Sequence, residues 1–589
     1  MGFRILARQL GQQNKKLAQI HMHHQDVPMK KYAKSLIVAI ILIALPQSSF
    51  AQNIGVASSA DPHATKAGME MLRKGGSASD AAMAMMVALT VVEPQSSGIG
   101  GGGFLLHQSG DGQQGLTTIN GRETAPAAAT SARFTDMDGK PISYLSAFQG
   151  GKSVGIPGNI RLMAMAHKKW GKLRWATLFE PAIKLAENGF VVNETLALRL
   201  VQLGPLWDKF PETKALYSVD GKLAVKGQTL RNPELAKTLR MIAKRGPDAF
   251  YKGDIAKSIV ARVKNTAVAP SDMTMADLAA YKAKEQAAVC APYRIYVVCG
   301  MGPPSSGATT VLQILGTLER FDMKAMGKDN PQSWHLIYEA MRLAYADREK
   351  YLGDPDFVDV PVAGLLNRQY IAQRSALISA DKSLGNYLAG NPPGAMQRTA
   401  AISSEVAGTS HFVAVDSKGH IASMTSTIEG PFGSQLIAGG FFLNNELTDF
   451  TFAPEKDGAP VANRVQAGKR PLSSMSPTIV FDAKGKPVLA LGSAGGKRII
   501  MHVTKTLIGV LDFDMPLSSA IAMPNIFFDN NAMLIEQNTS VAAMAEKIAI
   551  SGNVVKPYDL SSKVNGAQLT AKGWVGAADP RSEGAAFNE

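Results

Sequence analysis

Gly408-Thr409, followed by Thr427, is the arrangement in this chain best suited to chemistry. Ser410 to Val415 and His420 to Ile428 alternate like two strands, and Ser417-Lys418-Gly419 suits a three-residue hairpin loop with glycine at the left-handed position. Closing that loop between Asp416 and His420 sets Thr409 opposite Thr427, whereas a one-residue slip would bring Ser426 there. A cross-strand threonine pair is also ordinary sheet packing. The preceding glycine adds a reaction: Gly408 adopts conformations that a Cβ forbids, and strain there favours attack of the Thr409 hydroxyl on the Gly408 carbonyl. Cleavage would free Thr409 as a chain terminus. Its α-amine, reference pKa roughly 7.7–8.0, would take the proton from its own hydroxyl, so one residue supplies both nucleophile and base.

The elements that must position this pair read as a mixture of helices and short strands. Helices are expected over 66–75 and over 79–92, the second opened by Ser77/Ser79, and over 334–351, an amphipathic run stopped by Gly353-Asp354-Pro355. Strand signals dominate near 104–119 and from 410 to 500, and no repeat of 20–50 residues is present. Gly98-Ile-Gly100-Gly-Gly-Gly103, with Glu123 twenty residues on, satisfies a dinucleotide-binding spacing. The context is wrong for it, because Phe104 to His107 and Leu116 to Ile119 around Asp111-Gly112 read as a hairpin where a helix is needed. These glycines are better explained by backbone packed closely against backbone.

With 46% apolar and 19% charged residues in 589, the chain has ample material for a core, which excludes disordered, collagenous and multi-span membrane classes. Its net charge of +14 would suggest a polyanionic partner if it lay on one folded surface. Residues 1–51 carry seven Lys or Arg and one acid, so the remaining 538 residues carry only +8. No basic and aromatic run resembles a nucleic-acid surface. Met29-Lys-Lys, the apolar run Ser35 to Leu45 and Ser49-Phe50-Ala51 read as a secretory signal peptide, too short to span a membrane, with Met29 a plausible true start. His21, His23 and His24 precede it and receive no function. Export makes Cys290 and Cys299 candidates for a disulfide across a short hairpin, the alternative being two small buried thiols. Neither metal nor cofactor is expected.

The sequence closely resembles the γ-glutamyltransferases (γ-glutamyltranspeptidases, glutathione hydrolases) of the N-terminal-nucleophile hydrolase superfamily. The resemblance rests on VVEPQSSGIGGGGF (91–104), NGRETAP (120–126), SVGIPG (153–158), GPPSSG (302–307), ADREKYLGDPDF (346–357), GTSHFVAVD (408–416), FFLNNELTDF (441–450), KRPLSSMSPT (469–478), GSAGGKRII (492–500) and ADPRSEG (578–584). It implies an α+β, four-layer αββα sandwich, one structural unit made from an autocleaved precursor: a large subunit, 52–408, and a small subunit, 409–589. It further implies Thr409 as nucleophile, Thr427 as its hydrogen-bond partner, and Gly495 and Gly496 as the oxyanion hole. Arg122, Ser473 and Ser474 would hold the donor α-carboxylate, Glu446 and Asp449 its α-ammonium. The implied partners are γ-glutamyl donors such as glutathione, amino-acid or peptide acceptors, and the two subunits themselves, in the periplasm or secreted, with no nucleic acid and no membrane.

Two departures matter. The family usually has Asn two positions after the second threonine, where this chain has Glu429, a third acid for the ammonium site or the mark of a different donor. The stretch from Asp449 to Ser473 is shorter than in relatives with a full lid and has no Tyr, which predicts a more open site tolerating longer γ-glutamyl chains. The alternatives are a glutaryl or cephalosporin acylase of the same superfamily, or an uncleaved binding protein for γ-glutamyl peptides. Arg122 could instead form a structural ion pair with Glu123 or another acid, Ser473 and Ser474 could merely turn the chain, and Gly495 and Gly496 could only relieve packing.

Overall fold

A computed structural model describes residues 54–110, 112–401 and 408–589. The signal-peptide reading and the early histidines lie outside the described residues. Thirteen strands form two stacked sheets: Gly55–Ser59 (β1), Gly102–Gln108 (β2), Leu116–Gly121 (β3), Lys284–Gln286 (β4), Val289–Tyr293 (β5), Tyr296–Gly300 (β6), Thr409–Asp416 (β7), Ile421–Thr427 (β8), Thr478–Phe481 (β9), Pro487–Gly492 (β10), Asn565–Thr570 (β11), Gly573–Ala578 (β12) and Ala585–Asn588 (β13). The first sheet runs β13-β1-β7-β8-β2-β3-β4 and the second β12-β11-β10-β9-β6-β5. All their pairings are antiparallel.

Strand alternation builds the layers. Along β7, Phe412 and Ala414 enter one apolar cluster, with helices Pro62–Arg73 (α1), Ala78–Val92 (α2) and Asn159–Trp170 (α3). Val413 and Val415 enter another, shared with the second sheet and with helices Gly307–Leu318 (α4), Pro331–Tyr351 (α5) and Ile499–Leu511 (α6). The result is a four-layer αββα sandwich. In α2 the Ser77 hydroxyl accepts from the Asp80 N–H while the Asp80 carboxylate accepts from the Ser77 N–H, a capping box. The helix is buried at every position, and its alanines and small side chains let it lie close under the sheet.

The glycine run enters β2, not a helix. A Cβ at Gly101 would stand 1.9 Å from the Thr427 carbonyl oxygen and one at Gly100 2.0 Å from that of Phe442. The glycines therefore let backbone meet backbone at the end of β8. Cys290 and Cys299 face one another across β5 and β6 and are joined by a disulfide. No helix among the described residues is long and apolar enough to cross a membrane.

Candidate active site

The two threonines meet at the open end of the β7–β8 hairpin. Asp416 N–H donates to the His420 carbonyl at 3.0 Å and Gly419 takes a φ of +81°, which closes the three-residue loop. Register then carries through seven pairs to Thr409 opposite Thr427. The Thr409 hydroxyl donates to Thr427 Oγ1 at 3.3 Å. Thr427 in turn donates to the Gly408 carbonyl oxygen at 2.9 Å and accepts from the Glu429 N–H at 2.8 Å. One hydroxyl thus touches both the proton and the carbonyl of a Thr409 attack on Gly408. A Cβ at residue 408 would lie 2.2 Å from the Glu429 carbonyl oxygen, so this approach requires glycine.

On one side of Thr409 is a cavity of about 20 Å³ that brings together Arg122, Glu429, Glu446, Asp449, Ser473, Ser474 and Gly496. Arg122 follows β3, Glu446 and Asp449 share one short 3-10 turn, and the two serines precede β9. The Arg122 guanidinium is buried and donates to Glu446, to Asp449, to the Leu472 carbonyl at 2.7 Å and to the Pro471 carbonyl at 3.2 Å. Glu123 lies farther away, 3.9 Å from Nη1, so it is not the arginine's main partner. Burial works against the Arg122 charge, but Glu446 and Asp449 outweigh it and hold the guanidinium protonated. Burial pushes the Glu446 carboxyl well above its usual range, with Arg122 opposing, and raises Glu123 to about 7.

Several residues here escaped the sequence reading. Tyr144 donates to Glu429 Oε2 at 3.0 Å, and Asn445 Nδ2 donates to the same oxygen. Glu429 sits at φ +73°, unusual for a residue with a Cβ. Arg348 donates to Ser474 Oγ at 2.9 Å and to Ser306 Oγ at 2.9 Å, and Met475 N–H donates to Ser473 Oγ at 3.2 Å. Each serine oxygen thus accepts one bond, and neither hydroxyl proton is used by another described group. Asn445 and Arg348 stand inside quoted motifs and could have been singled out there. Nothing in the sequence pointed to Tyr144.

Gly495 (φ +133°) and Gly496 (φ +59°) make the turn between β10 and α6. His502, kept neutral by burial, stands behind that turn, its Nδ1 3.0 Å from Ser493 Oγ and 3.2 Å from the Ala494 carbonyl. Gly496 borders the small cavity, while Gly495 borders a cleft of about 390 Å³ on the other side of Thr409. The expected opening of the site is not found at the head-group end. No residue from 450 to 472 lines the small cavity, yet Arg122, Glu429, Glu446, Asp449, Ser473 and Ser474 are all buried. The short 450–472 segment packs behind the site, where its Pro471 and Leu472 carbonyls accept from Arg122, Asn463 donates to the Asp449 carbonyl at 2.7 Å and Lys469 to that of Ala462 at 2.7 Å. The Arg122 ion pairs with Glu446 and Asp449 occupy the head-group end. Among the described residues, no group of three or more His, Cys, Asp or Glu could hold a metal ion.

Residues 64–588 match the family described as gamma-glutamyltranspeptidase. Among curated proteins, the chain is 38% identical over 484 residues to the glutathione hydrolase proenzyme of Bacillus subtilis (strain 168), covering 80% of each. It is 37% identical over 548 residues to the glutathione hydrolase proenzyme of Escherichia coli (strain K12), covering 90% of each. Among solved structures, a cephalosporin acylase from Bacillus halodurans superposes with a TM-score of 0.80 at 25% identity, over 91% of this chain and 96% of that one.

Proposed function

The chain belongs to the gamma-glutamyltranspeptidase family, and from that premise we propose how its own residues carry the reaction. It is a γ-glutamyltransferase and glutathione hydrolase, cleaving γ-glutamyl amides through an acyl-threonine that passes to water or to an amine. In our reading the chain first cuts itself. Thr409 Oγ1 bonds to the Gly408 carbonyl carbon, its proton leaving through Thr427. The C–N bond breaks as the Thr409 nitrogen is protonated, and water hydrolyses the resulting ester to leave 52–408 and 409–589. The freed amine then takes the Thr409 hydroxyl proton, and the oxygen attacks a γ-carbonyl carbon. Gly495 and Gly496 N–H groups receive the oxyanion, a contribution of about 3–4 kcal/mol per donor. The leaving amine departs with the proton, and water or an acceptor amine reverses the sequence.

The observation that carries the donor assignment is Arg122 paired with Glu446 and Asp449 beside Thr409. A γ-glutamyl head brings one carboxylate and one ammonium. Its carboxylate replaces the acids on Arg122, with Ser473 and Ser474 donating their hydroxyls, and its ammonium restores the partner that Glu446 and Asp449 lose. Every buried charge stays paired. Glu429, fixed by Tyr144 and Asn445, adds a third carboxylate on the ammonium side. A glutaryl head has no ammonium and would strand the acids, a cost of about 3–5 kcal/mol for a broken buried pair. That asymmetry favours the γ-glutamyl reading over the acylase one.

We also assign the working compartment to the periplasm or the exterior. The signal-like run before residue 52 and the Cys290–Cys299 disulfide both suit export. The donor assignment is tested with matched γ-glutamyl and glutaryl anilides, with and without a dipeptide acceptor. Faster release from the γ-glutamyl compound is expected; release from the glutaryl compound alone would transfer the chain to the acylases.

A further inference from the structure

Thr409 separates two spaces. Because the small cavity takes the donor head, the leaving amine must lie in the cleft of about 390 Å³ beyond Gly495. That cleft shares Arg199, Gly495 and Arg498 with an adjoining chamber of about 490 Å³, walled by Phe527, Phe528, Leu534 and Tyr558. Phe527 and Phe528 stack at 4.8 Å, and Tyr345 packs edge-on against them at 5.7 and 5.2 Å. The aromatic wall is therefore built before any ligand arrives.

The charges on this side are unevenly spent. Lys497, Lys563 and Arg581 are paired with Glu349, Glu93 and Glu536. Among the described residues, neither Arg199 nor Arg498 has a carboxylate partner. Arg199 is half-buried and donates only to Gln202 Oε1 at 2.8 Å, and Arg498 stands 5.8 Å from the Tyr558 ring centre. Asp559 and Asp529 reach the same space from exposed positions, where solvent screens them. Two half-buried guanidiniums beside an aromatic wall fit a ligand with an apolar body and an anionic end.

We propose that this chamber is the leaving-group and acceptor subsite, and that it selects amino acids or peptides with an apolar or aromatic side chain and a free carboxylate. The side chain lies on Phe527 and Phe528, and the carboxylate on Arg199 and Arg498. The proposal rests on the γ-glutamyl reading above. Its test is the kcat/KM of the purified, self-cleaved enzyme for γ-glutamyl-phenylalanine, γ-glutamyl-glycine and γ-glutamyl-phenylalaninamide. The first should exceed the second about tenfold through apolar burial, and exceed the amide about tenfold through its charge. Phe528→Ala should bring the phenylalanine-to-glycine ratio close to one, and Arg199→Gln the acid-to-amide ratio. Both readouts are ratios within one variant, so a general loss of activity cancels. Equal values for the three substrates, or ratios that neither variant moves, would overturn the subsite and leave the γ-glutamyl reading standing. No cleavage of any of them, or of a γ-glutamyl anilide, would overturn both.

Discussion

The Thr427 hydroxyl donates to the Gly408 carbonyl oxygen at 2.9 Å, across the strand pair from the residue whose own hydroxyl it accepts. In the proposed mechanism, self-cleavage and later catalysis draw on one side chain in two settings: in the uncut chain it would polarise the carbonyl under attack, and after the cut it would orient the nucleophile. Thr427→Ala should slow self-cleavage by about 10²–10³-fold, the usual loss when one donor to a developing oxyanion is removed. Thr427→Ser should restore most of the rate, followed as the appearance of two bands on a denaturing gel.

Gly408→Ala addresses the same step from the other side. An added Cβ would meet the Glu429 carbonyl oxygen at 2.2 Å, so the scissile carbonyl must shift. A displacement near 1 Å costs about 100-fold in a reaction set by geometry. The variant should stay as a single chain under conditions that cut the wild type, with far-UV circular dichroism unchanged.

Glu446→Gln should raise KM for a γ-glutamyl anilide and narrow the preference over the glutaryl anilide. It removes a carboxylate from the ammonium side and loosens the pairing of Arg122. Arg122→Lys should be worse, because an ammonium cannot replace the planar fork that now bonds two acids and two carbonyls. A loss of about 100-fold or more in kcat/KM is expected for the arginine change.

The pH dependence of KM should separate the two kinds of donor. Burial pushes the Glu446 carboxyl well above its usual range and brings its neighbour Glu123 to about 7. As pH rises through about 7 Glu123 ionises, the surroundings of Arg122 become more negative, and their attraction for an ammonium grows. KM for γ-glutamyl donors should therefore fall between about pH 6 and 8, while that for glutaryl donors stays level or rises. In kcat the Thr409 amine should contribute an increase over a similar range, near its reference pKa of roughly 7.7–8.0. The two contributions are separated by reporting kcat and KM individually.

The hairpin was the part of the site most open to sequence reasoning, because a three-residue loop with glycine at its left-handed position favours the register that places Thr409 opposite Thr427, over the one-residue slip to Ser426. The glycine run was legible for a similar reason: a strand after Gly103 rules out the helix that a dinucleotide site needs. The head-group cavity was legible only as residue types. That Arg122 would turn to Glu446 and Asp449 in the absence of a ligand depends on contacts between segments more than 300 residues apart. The length of the Asp449–Ser473 stretch likewise says nothing of Arg122, whose pairing with Glu446 and Asp449 sets the size of the head-group cavity. Tyr144 stands in a segment with no motif, and its contact with Glu429 spans 285 residues.

The central claim is that Thr409 becomes a chain terminus by attack on Gly408. It is tested most directly by intact mass and N-terminal sequencing of the purified protein beside Thr409→Ala. The account predicts a wild-type fragment beginning Thr409-Ser410-His411 and ending at Glu589, 181 residues long, and an uncut Thr409→Ala chain. A wild type that stays whole while hydrolysing γ-glutamyl anilide, or a Thr409→Ala chain cut at the same bond, would contradict it.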